Sequence, residues 1–467
     1  MKQYDLIIIG GGAGAFAAAI RANELKAKTA MINAGLPLGG TCVNVGCVPS
    51  KTLLWAGEIM HLAQHHDIPG IELTVKNFDF QKVVQDELSL VERLRVEKYE
   101  KVLKSLEHVF HIEGKATFIS PKEIEINGER LSADKFIIAT GSTANVPSIE
   151  GIKEVGFITH IEALRLEQRP RELVVVGAGA LGLEFAQMYS RFGTKVTILQ
   201  RGPSIFPSTE KELTERLSEI LTKEGITIKT NVEVKKAHKE KDKKVLSYLI
   251  DGKQEEVACD EILLATGKTA NTKGLGLEKI NVKIDQKQAI VVNKFFQTSQ
   301  PHIFAVGDVT NLPLRLETTA GREGTLSASN ALTDSRESID YNTVPYTVFT
   351  DPQLAGVGLT EDEQMSKIGV CACRTVSFAD VPKAIIIHRT EGLIKMAIHP
   401  KTKQIMGVHI LAPHASELIA EAMMLVKNKN TIDDVTSSLP MFPTLSESIK
   451  IVALSFTKDI SKLSCCV

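Results

Sequence analysis

The chain has 467 residues, 43% apolar and 24% charged, the composition of a globular protein with room for about three domains. Its 55 basic and 56 acidic side chains leave a formal net charge of −1, which removes nucleic acid and anionic membranes as expected partners. No apolar run approaches the ~18 residues of a membrane span, the opening stretch does not have the form of a signal peptide, and the seven cysteines are not spread as a secreted disulfide framework; the expected location is the cytoplasm.

The first predicted element is a strand over residues 4–9 (YDLIII), which runs into Gly10-Gly11-Gly12-Ala13-Gly14 and then a helix. Gly10, Gly12 and Gly14 in this strand-to-helix context form a dinucleotide fingerprint. Glycines let the backbone approach a pyrophosphate, and the helix N-terminus offers it N–H donors. The second strand, KTAMIN, ends in Asn33, where an acid usually takes the ribose hydroxyls; Asn33 can bond a diol without charge assistance.

Next comes residues 39–51, GGTCVNVGCVPSK, with Cys42 and Cys47 five residues apart where a loop turns into the helix TLLWAGEIMHLAQ. Five steps along a regular helix would hold the Cα atoms roughly 8–9 Å apart, whereas a disulfide needs about 4.4–6.8 Å. A bonded pair therefore requires an irregular first turn, which Gly46 and Pro49 allow. A thiolate near a helix N-terminus has a lowered pKa, so a reactive pair is expected, with two buried free thiols as the alternative. His61, His65 and His66 follow; the first two share a helix face, and a solvated surface is expected there in preference to a metal site.

A charged helical stretch (78–106), short strands and KFIIATGS complete the first unit, and VPSIEGI reads as a linker. The opening device then repeats. The strand LVVVG meets Gly177, Gly179 and Gly182 ahead of a helix, so two dinucleotide sites are expected in one chain. The following strand ends in Gln200 and Arg201, with no acid for the ribose; this predicts NADPH in preference to NADH. A second ATG stretch ends at Gly267, and IFAVGDVT contains Asp308 at a strand end. From residue 344 onward, alternating strands and two amphipathic helices predict an α+β unit, in which Cys371 and Cys373 would sit on one strand face as packing residues. The chain closes on adjacent Cys465 and Cys466, whose Cα atoms, about 3.8 Å apart, are too close for an easy disulfide and suit a dithiol for a soft metal ion.

GGTCVNVGCVPSK resembles the redox-active segment of the pyridine nucleotide-disulfide oxidoreductases, and the paired fingerprints, paired ATG stretches and GDVT motif are similar to that family throughout. The resemblance implies an α/β fold: an FAD-binding unit over 1–150 and 271–340, an NAD(P)H-binding unit over 151–270, and a dimerisation unit over 341–467, acting as a homodimer. It implies FAD on Gly10, Gly12, Gly14, Asn33, Gly40, Thr41, Lys51, Thr140, Gly141 and Asp308, and NADPH on Gly177, Gly179, Gly182, Gln200, Arg201 and Gly267. By the same resemblance Cys47 is the charge-transfer thiolate, Cys42 the interchange thiol, and Lys51 pairs with Glu184 near the flavin.

Within the family, lipoamide dehydrogenases and glutathione reductases carry a His-Pro pair followed by a glutamate. Here Pro443 and Glu447 are present, but Phe442 holds the histidine position and cannot carry a proton. The ending KDISKLSCC resembles the mercuric reductase branch, without the additional N-terminal metal-binding domain some of its members carry. That branch implies NADPH-dependent reduction of thiol-bound Hg(II) to Hg(0), with Cys465 and Cys466 of one subunit delivering the metal to Cys42 and Cys47 of the other. Thr444, Ala180 and the stretch 314–324 depart from the aromatic residues typical of that branch. Two alternatives stay open: a lipoamide dehydrogenase-like or other NAD(P)H-dependent disulfide reductase, and a soft-metal-binding flavoprotein acting as buffer or sensor.

Overall fold

Strands that read as unbroken apolar runs, without alternation, are those buried on both faces of a parallel sheet. The computed structural model, which describes residues 2–333 and 335–464, contains two such sheets. In the first, β1 (Lys2–Ile9) lies between β2 (Thr29–Asn33) and the strand Glu129–Ile138, with Val109–Glu113 outside β2, all parallel. An antiparallel flap, Thr117–Ser120 and Glu123–Ile126, pairs with the first half of Glu129–Ile138. The second half takes Ile303–Ala305 in parallel after a long excursion of the chain, completing seven strands.

That excursion builds the second parallel sheet, ordered Thr227–Lys229, Lys195–Leu199, Glu172–Val176, Glu261–Leu264. A short ribbon, Ser142–Ala144 against Lys268–Ala270, ties the outgoing chain to the returning one. Between Thr227–Lys229 and Glu261–Leu264 sits a three-stranded antiparallel sheet, Glu233–Glu240, Lys243–Ile250 and Lys253–Cys259, which carries no motif and was not anticipated from sequence. The C-terminal region is a five-stranded antiparallel sheet with Ala372–Ser377 at one edge. Three helices of eight or more residues accompany it, Glu361–Ile368, Ala415–Lys427 and Glu447–Leu454, where two were expected. The α/β class with two dinucleotide-binding sheets and an α+β C-terminal unit is the one observed. No described helix is long and apolar enough to cross a membrane.

One helix joins these parts. Ala180–Arg191 presents Glu184, Gln187 and Arg191 on a single face, at the i, i+3, i+7 spacing of adjacent turns. Gln187 donates to the Asp351 carbonyl and accepts from the Asp351 N–H, both at 2.7 Å, while Arg191 lies 3.0 Å from the Asp351 carboxylate. Arg389 pairs with the same carboxylate. Burial alone would push Asp351 up, but the two guanidinium groups hold it below the usual carboxylate range.

Candidate active site between two dinucleotide cradles

The two fingerprints fold alike. Gly10 has φ +141°, and a Cβ there would come within 2.2 Å of the Ala139 carbonyl oxygen; Gly177 has φ +107°, and its Cβ would meet Ala265 O at 2.5 Å. Each ATG stretch thus lies against the first glycine of one fingerprint, pinned by Ala139 N–H to Ile9 O (2.8 Å) and Ala265 N–H to Val176 O (2.9 Å). Both following helices, α1 (Ala13–Glu24) and Ala180–Arg191, start from glycine with no side-chain cap, so their first N–H groups stay free for an anion. Gly40 closes on Gly12, where a Cβ would stand 2.5 Å from Gly12 Cα, which leaves a floor of bare backbone. From it a cleft of about 720 Å³ runs past Thr41 to Cys42, Cys47, Lys51 and Glu184. These features fit FAD on the first cradle and a pyridine nucleotide on the second.

The remaining candidate residues fall at varied distances from the cleft. Gly141 and Asp308 line it, and Asp308 accepts from the Ser142 hydroxyl at 2.6 Å. Thr140 turns inward and donates to the Asn271 carbonyl. Asn33 is buried and donates to Leu36 O at 3.0 Å, bracing the loop after β2. Gln200 is spent internally, accepting from Ala178 N–H and donating to Ser204 O, whereas Arg201 beside it is exposed. Gly267 lines a smaller cavity of about 170 Å³ with His160 and Lys268. Burial pushes His160 down to about 4, so it is neutral and accepts from the Lys268 ammonium at 3.0 Å. Ala180, where many relatives carry a larger residue, lines both cavities with only a methyl group.

The cysteine segment is irregular at the point the disulfide geometry demanded. The helix α2 (Gly40–Val45) stops at Gly46, with φ −134° and ψ −111°, and α3 (Cys47–Leu62) starts at once. A Cβ at Gly46 would lie 2.9 Å from Thr41 O, so no other residue fits this break without a shift. Asn44 clamps the segment, donating to the carbonyls of Pro37, Leu38 and Gly40. Both cysteines are free thiols here.

With Glu317 they form a three-donor cluster whose ligand atoms all lie within 4.8 Å of one another. Cys42 donates to Glu317 Oε2 at 2.6 Å. The helix-terminus argument predicted lowered pKa values, and the outcome is split. Cys47 is lowered, first by the hydrogen bond from Cys42 and further by the Lys51 charge. Cys42 is raised, by that same bond to Cys47, by burial and by the neighbouring Glu317.

Glu317 opens the helix Glu317–Leu332, which is seated against α1 glycine to glycine: a Cβ at Gly324 would be 2.1 Å from Gly14 O. Six residues on, Glu323 is fully buried and accepts from Gly307 N–H (2.7 Å) and Tyr341 O–H (2.8 Å), fixing the loop that carries Asp308; burial pushes its carboxyl up. Neither glutamate was picked out from sequence. The available signal was acids repeating at i and i+6 on the helix after GDVT.

Lys51 Nζ is 2.7 Å from Glu184 Oε2 and 4.5 Å from the Phe349 ring centroid, and Glu184 Oε1 accepts from Phe349 N–H at 2.9 Å. Three readings need correction or restriction. His61 does have a carboxylate nearby, Glu224 at 3.9 Å, contributed by the end of a distant helix. Cys371 and Cys373 are joined as a disulfide and are not mere packing residues. Cys465 and Cys466 lie outside the described residues. Towards that end, Phe442 and its neighbours Leu439 and Met441 are exposed, and Glu447 is buried and accepts from Thr444 N–H.

Two dinucleotide cradles converging on a thiol pair define a flavin- and pyridine nucleotide-dependent disulfide reductase. The family model for pyridine nucleotide-disulphide oxidoreductases matches residues 4–332 and that of their dimerisation domain residues 344–453; the chain belongs to this family. It is 39% identical over 465 residues to a mercuric reductase of Staphylococcus aureus, covering 99% of this chain and 84% of that one. It is 37% identical to a mercuric reductase of Streptomyces lividans (99% and 98% covered) and 37% identical to a dihydrolipoyl dehydrogenase of Thermus scotoductus (98% and 98%). Among solved structures, the HOCl-induced flavoprotein disulfide reductase RclA from Escherichia coli superposes with a TM-score of 0.86 at 27% identity, over 97% of this chain and 100% of that one.

Proposed function

We propose that this FAD-dependent oxidoreductase reduces thiol-bound Hg(II) to Hg(0) with NADPH, in the cytoplasm and as a homodimer. The observation that carries this reading is the Cys42–Cys47–Glu317 cluster: two sulfurs and a carboxylate at the end of the cleft, within reach of one ion. The similarity to mercuric reductases and the absence of a histidine at Phe442 support it. The exposed apolar stretch Leu439, Met441 and Phe442 suits a partner surface. We assign residues 1–150 and 271–340 to FAD, 151–270 to the nicotinamide nucleotide, and 341–467 to dimerisation. Arg201, exposed where NAD-binding chains place an acid, supports NADPH.

When bound, FAD would pass on electron pairs taken as hydride from NADPH: one pair to open the Cys42–Cys47 disulfide, and a further pair for each Hg(II) reduced. The protein's own groups do the rest. Lys51, held by Glu184, keeps a fixed cation beside the cleft and favours the Cys47 thiolate. Glu317 takes the Cys42 proton, the task Phe442 cannot perform. Hg(II) passes from Cys465 and Cys466 of the partner subunit to Cys42 and Cys47 by thiolate exchange, one new Hg–S bond forming as one old one breaks. It accepts two electrons and leaves as Hg(0), with both thiolates retained.

A second reading, reduction of a small organic disulfide, is favoured by Thr444, which lipoamide dehydrogenases share, and by the dihydrolipoyl dehydrogenase relative. One assay separates the two: NADPH oxidation with Hg(II) in excess thiol, compared with lipoamide and oxidised glutathione. Hg(II) should be the fastest substrate, and replacing Cys465 and Cys466 by Ala should abolish that turnover while a small artificial disulfide is still reduced. Faster turnover of lipoamide would overturn the proposal; Hg(II) binding without NADPH oxidation would make the protein a metal buffer.

A further inference from the structure

A second sulfur pair lies in the C-terminal sheet. The helix Glu361–Ile368 is fixed at its start by a capping box between Thr360 and Glu363 and stopped by Gly369 at φ +77°. The chain then turns back as the edge strand Ala372–Ser377, and Cys371 and Cys373 stand two residues apart on one face, Cα atoms 6.3 Å apart and sulfurs bonded. The buried Gln364 amide holds the turn, donating to Val370 O at 3.0 Å and Ile398 O at 2.9 Å. The turn-back brings Glu361 to the sulfurs: its carboxylate and both Sγ atoms lie within 4.8 Å of one another. Behind Glu361 is Lys395, with Nζ 2.7 Å from Glu361, 3.0 Å from Glu210 and 2.9 Å from Glu212.

This bond is poorly suited to stapling the fold. Disulfide stabilisation grows with the length of loop closed, and this ring spans a separation of two within one segment. Both cysteines are half-exposed, Cys373 on the edge strand and Cys371 just before it, where a small thiol reaches them. In the reduced state the same atoms become two thiolates and a carboxylate converging on one point, the donor set of a thiophilic cation, and Lys395 offsets part of their charge.

We propose that Cys371, Cys373 and Glu361 form a redox-switched binding site for a thiophilic d10 cation, separate from the Cys42–Cys47 centre. An external dithiol gives two electrons and two protons to the Cys371–Cys373 bond, leaving as its own cyclic disulfide and opening two thiols. The cation displaces their protons and is held by both sulfurs and the Glu361 carboxylate. An external disulfide takes the two electrons back, leaving as its own two thiolates, and the re-formed Cys371–Cys373 bond expels the cation.

The test uses the full-length chain with Cys42, Cys47, Cys465 and Cys466 changed to Ser, so that the second pair and the buried Cys259 are the only cysteines left. Alkylation mapped by peptide mass should label Cys371 and Cys373 only after dithiol treatment. Native mass spectrometry with Hg(II), and separately with Zn(II), should show uptake by the reduced protein, none by the untreated one, and loss of uptake on adding Cys371→Ser and Cys373→Ser. In the otherwise intact pair, Glu361→Gln should weaken Zn(II) retention more than Hg(II), since the harder ion depends more on oxygen. Labelling of both cysteines without reduction, or metal uptake that survives their replacement, would overturn the proposal. Serine is nearly isosteric with cysteine, and circular dichroism on each variant establishes that loss of uptake is not loss of fold.

Discussion

Changing Glu317 to Gln keeps the shape of the side chain at Cys42 but removes its charge and its ability to take a proton. The carboxylate accepts from Cys42 Sγ at 2.6 Å and raises that thiol. A hydrogen bond to an ionised group contributes about 1.5–3 kcal/mol. Glu317 is exposed to the cleft, which places it near the lower end of that range. At about 1.4 kcal/mol per pH unit, the midpoint for Cys42 alkylation should fall by about one unit. The thiol becomes more acidic and more readily alkylated at neutral pH. While labelling at neutral pH speeds up, turnover should fall by about 10²-fold or more as acid–base help is lost. The assays are iodoacetamide labelling of the reduced protein against pH, mapped to Cys42, and NADPH-dependent reduction of an aromatic disulfide. A merely structural role would leave the Cys42 midpoint where it is, or would slow labelling at neutral pH together with turnover. An unchanged or raised Cys42 midpoint, or unaltered turnover, would refute the assignment.

Other consequences can be measured with single changes. Arg201→Glu should raise the KM for NADPH far more than that for NADH; equal effects would remove Arg201 from the nucleotide site. Lys51→Met should raise the alkylation midpoint of Cys47, because the ammonium lowers that thiol's pKa. Asp351→Asn should destabilise the protein at neutral pH by about 3–5 kcal/mol, as breaking a buried ion pair does. Asp351 is held low in the folded state, so its contribution is present above the ordinary value near ~3.9 and is lost as pH falls through the depressed one. The gap between the variant and the parent should therefore close in acid, read by urea unfolding at several pH values. Gly46→Ala should slow oxidation of the Cys42–Cys47 pair, since its Cβ would press on Thr41 O at 2.9 Å.

What could be read in advance was local. The fingerprints, the ATG stretches and GGTCVNVGCVPSK are contiguous, and each declares its chemistry through glycine and cysteine spacing. The α/β class followed from them. The pairing of His61 with Glu224 and of Cys42 with Glu317 joins residues far apart in sequence, and only the tertiary path reveals it. The sheet over 233–259 was missed because it carries ordinary alternation and no motif. The two shortest C-terminal helices, Pro382–Ile386 and Ile432–Thr436, are too brief to display a helical period. Cys371 and Cys373 were visible as a pair, but the bond between them depends on how the edge strand is presented.

The contact between Gly14 and Gly324 has a consequence far from its own position. The helix it seats carries Glu317 at its tip and Glu323 further along, so one rigid rod sets both the thiol's proton acceptor and the loop bearing Asp308. A single methyl group added at Gly324 would lift that rod and detune the sulfur chemistry without touching a sulfur. Drift along this seam during evolution would act as a remote adjustment of reactivity, inherited through a residue with no side chain at all.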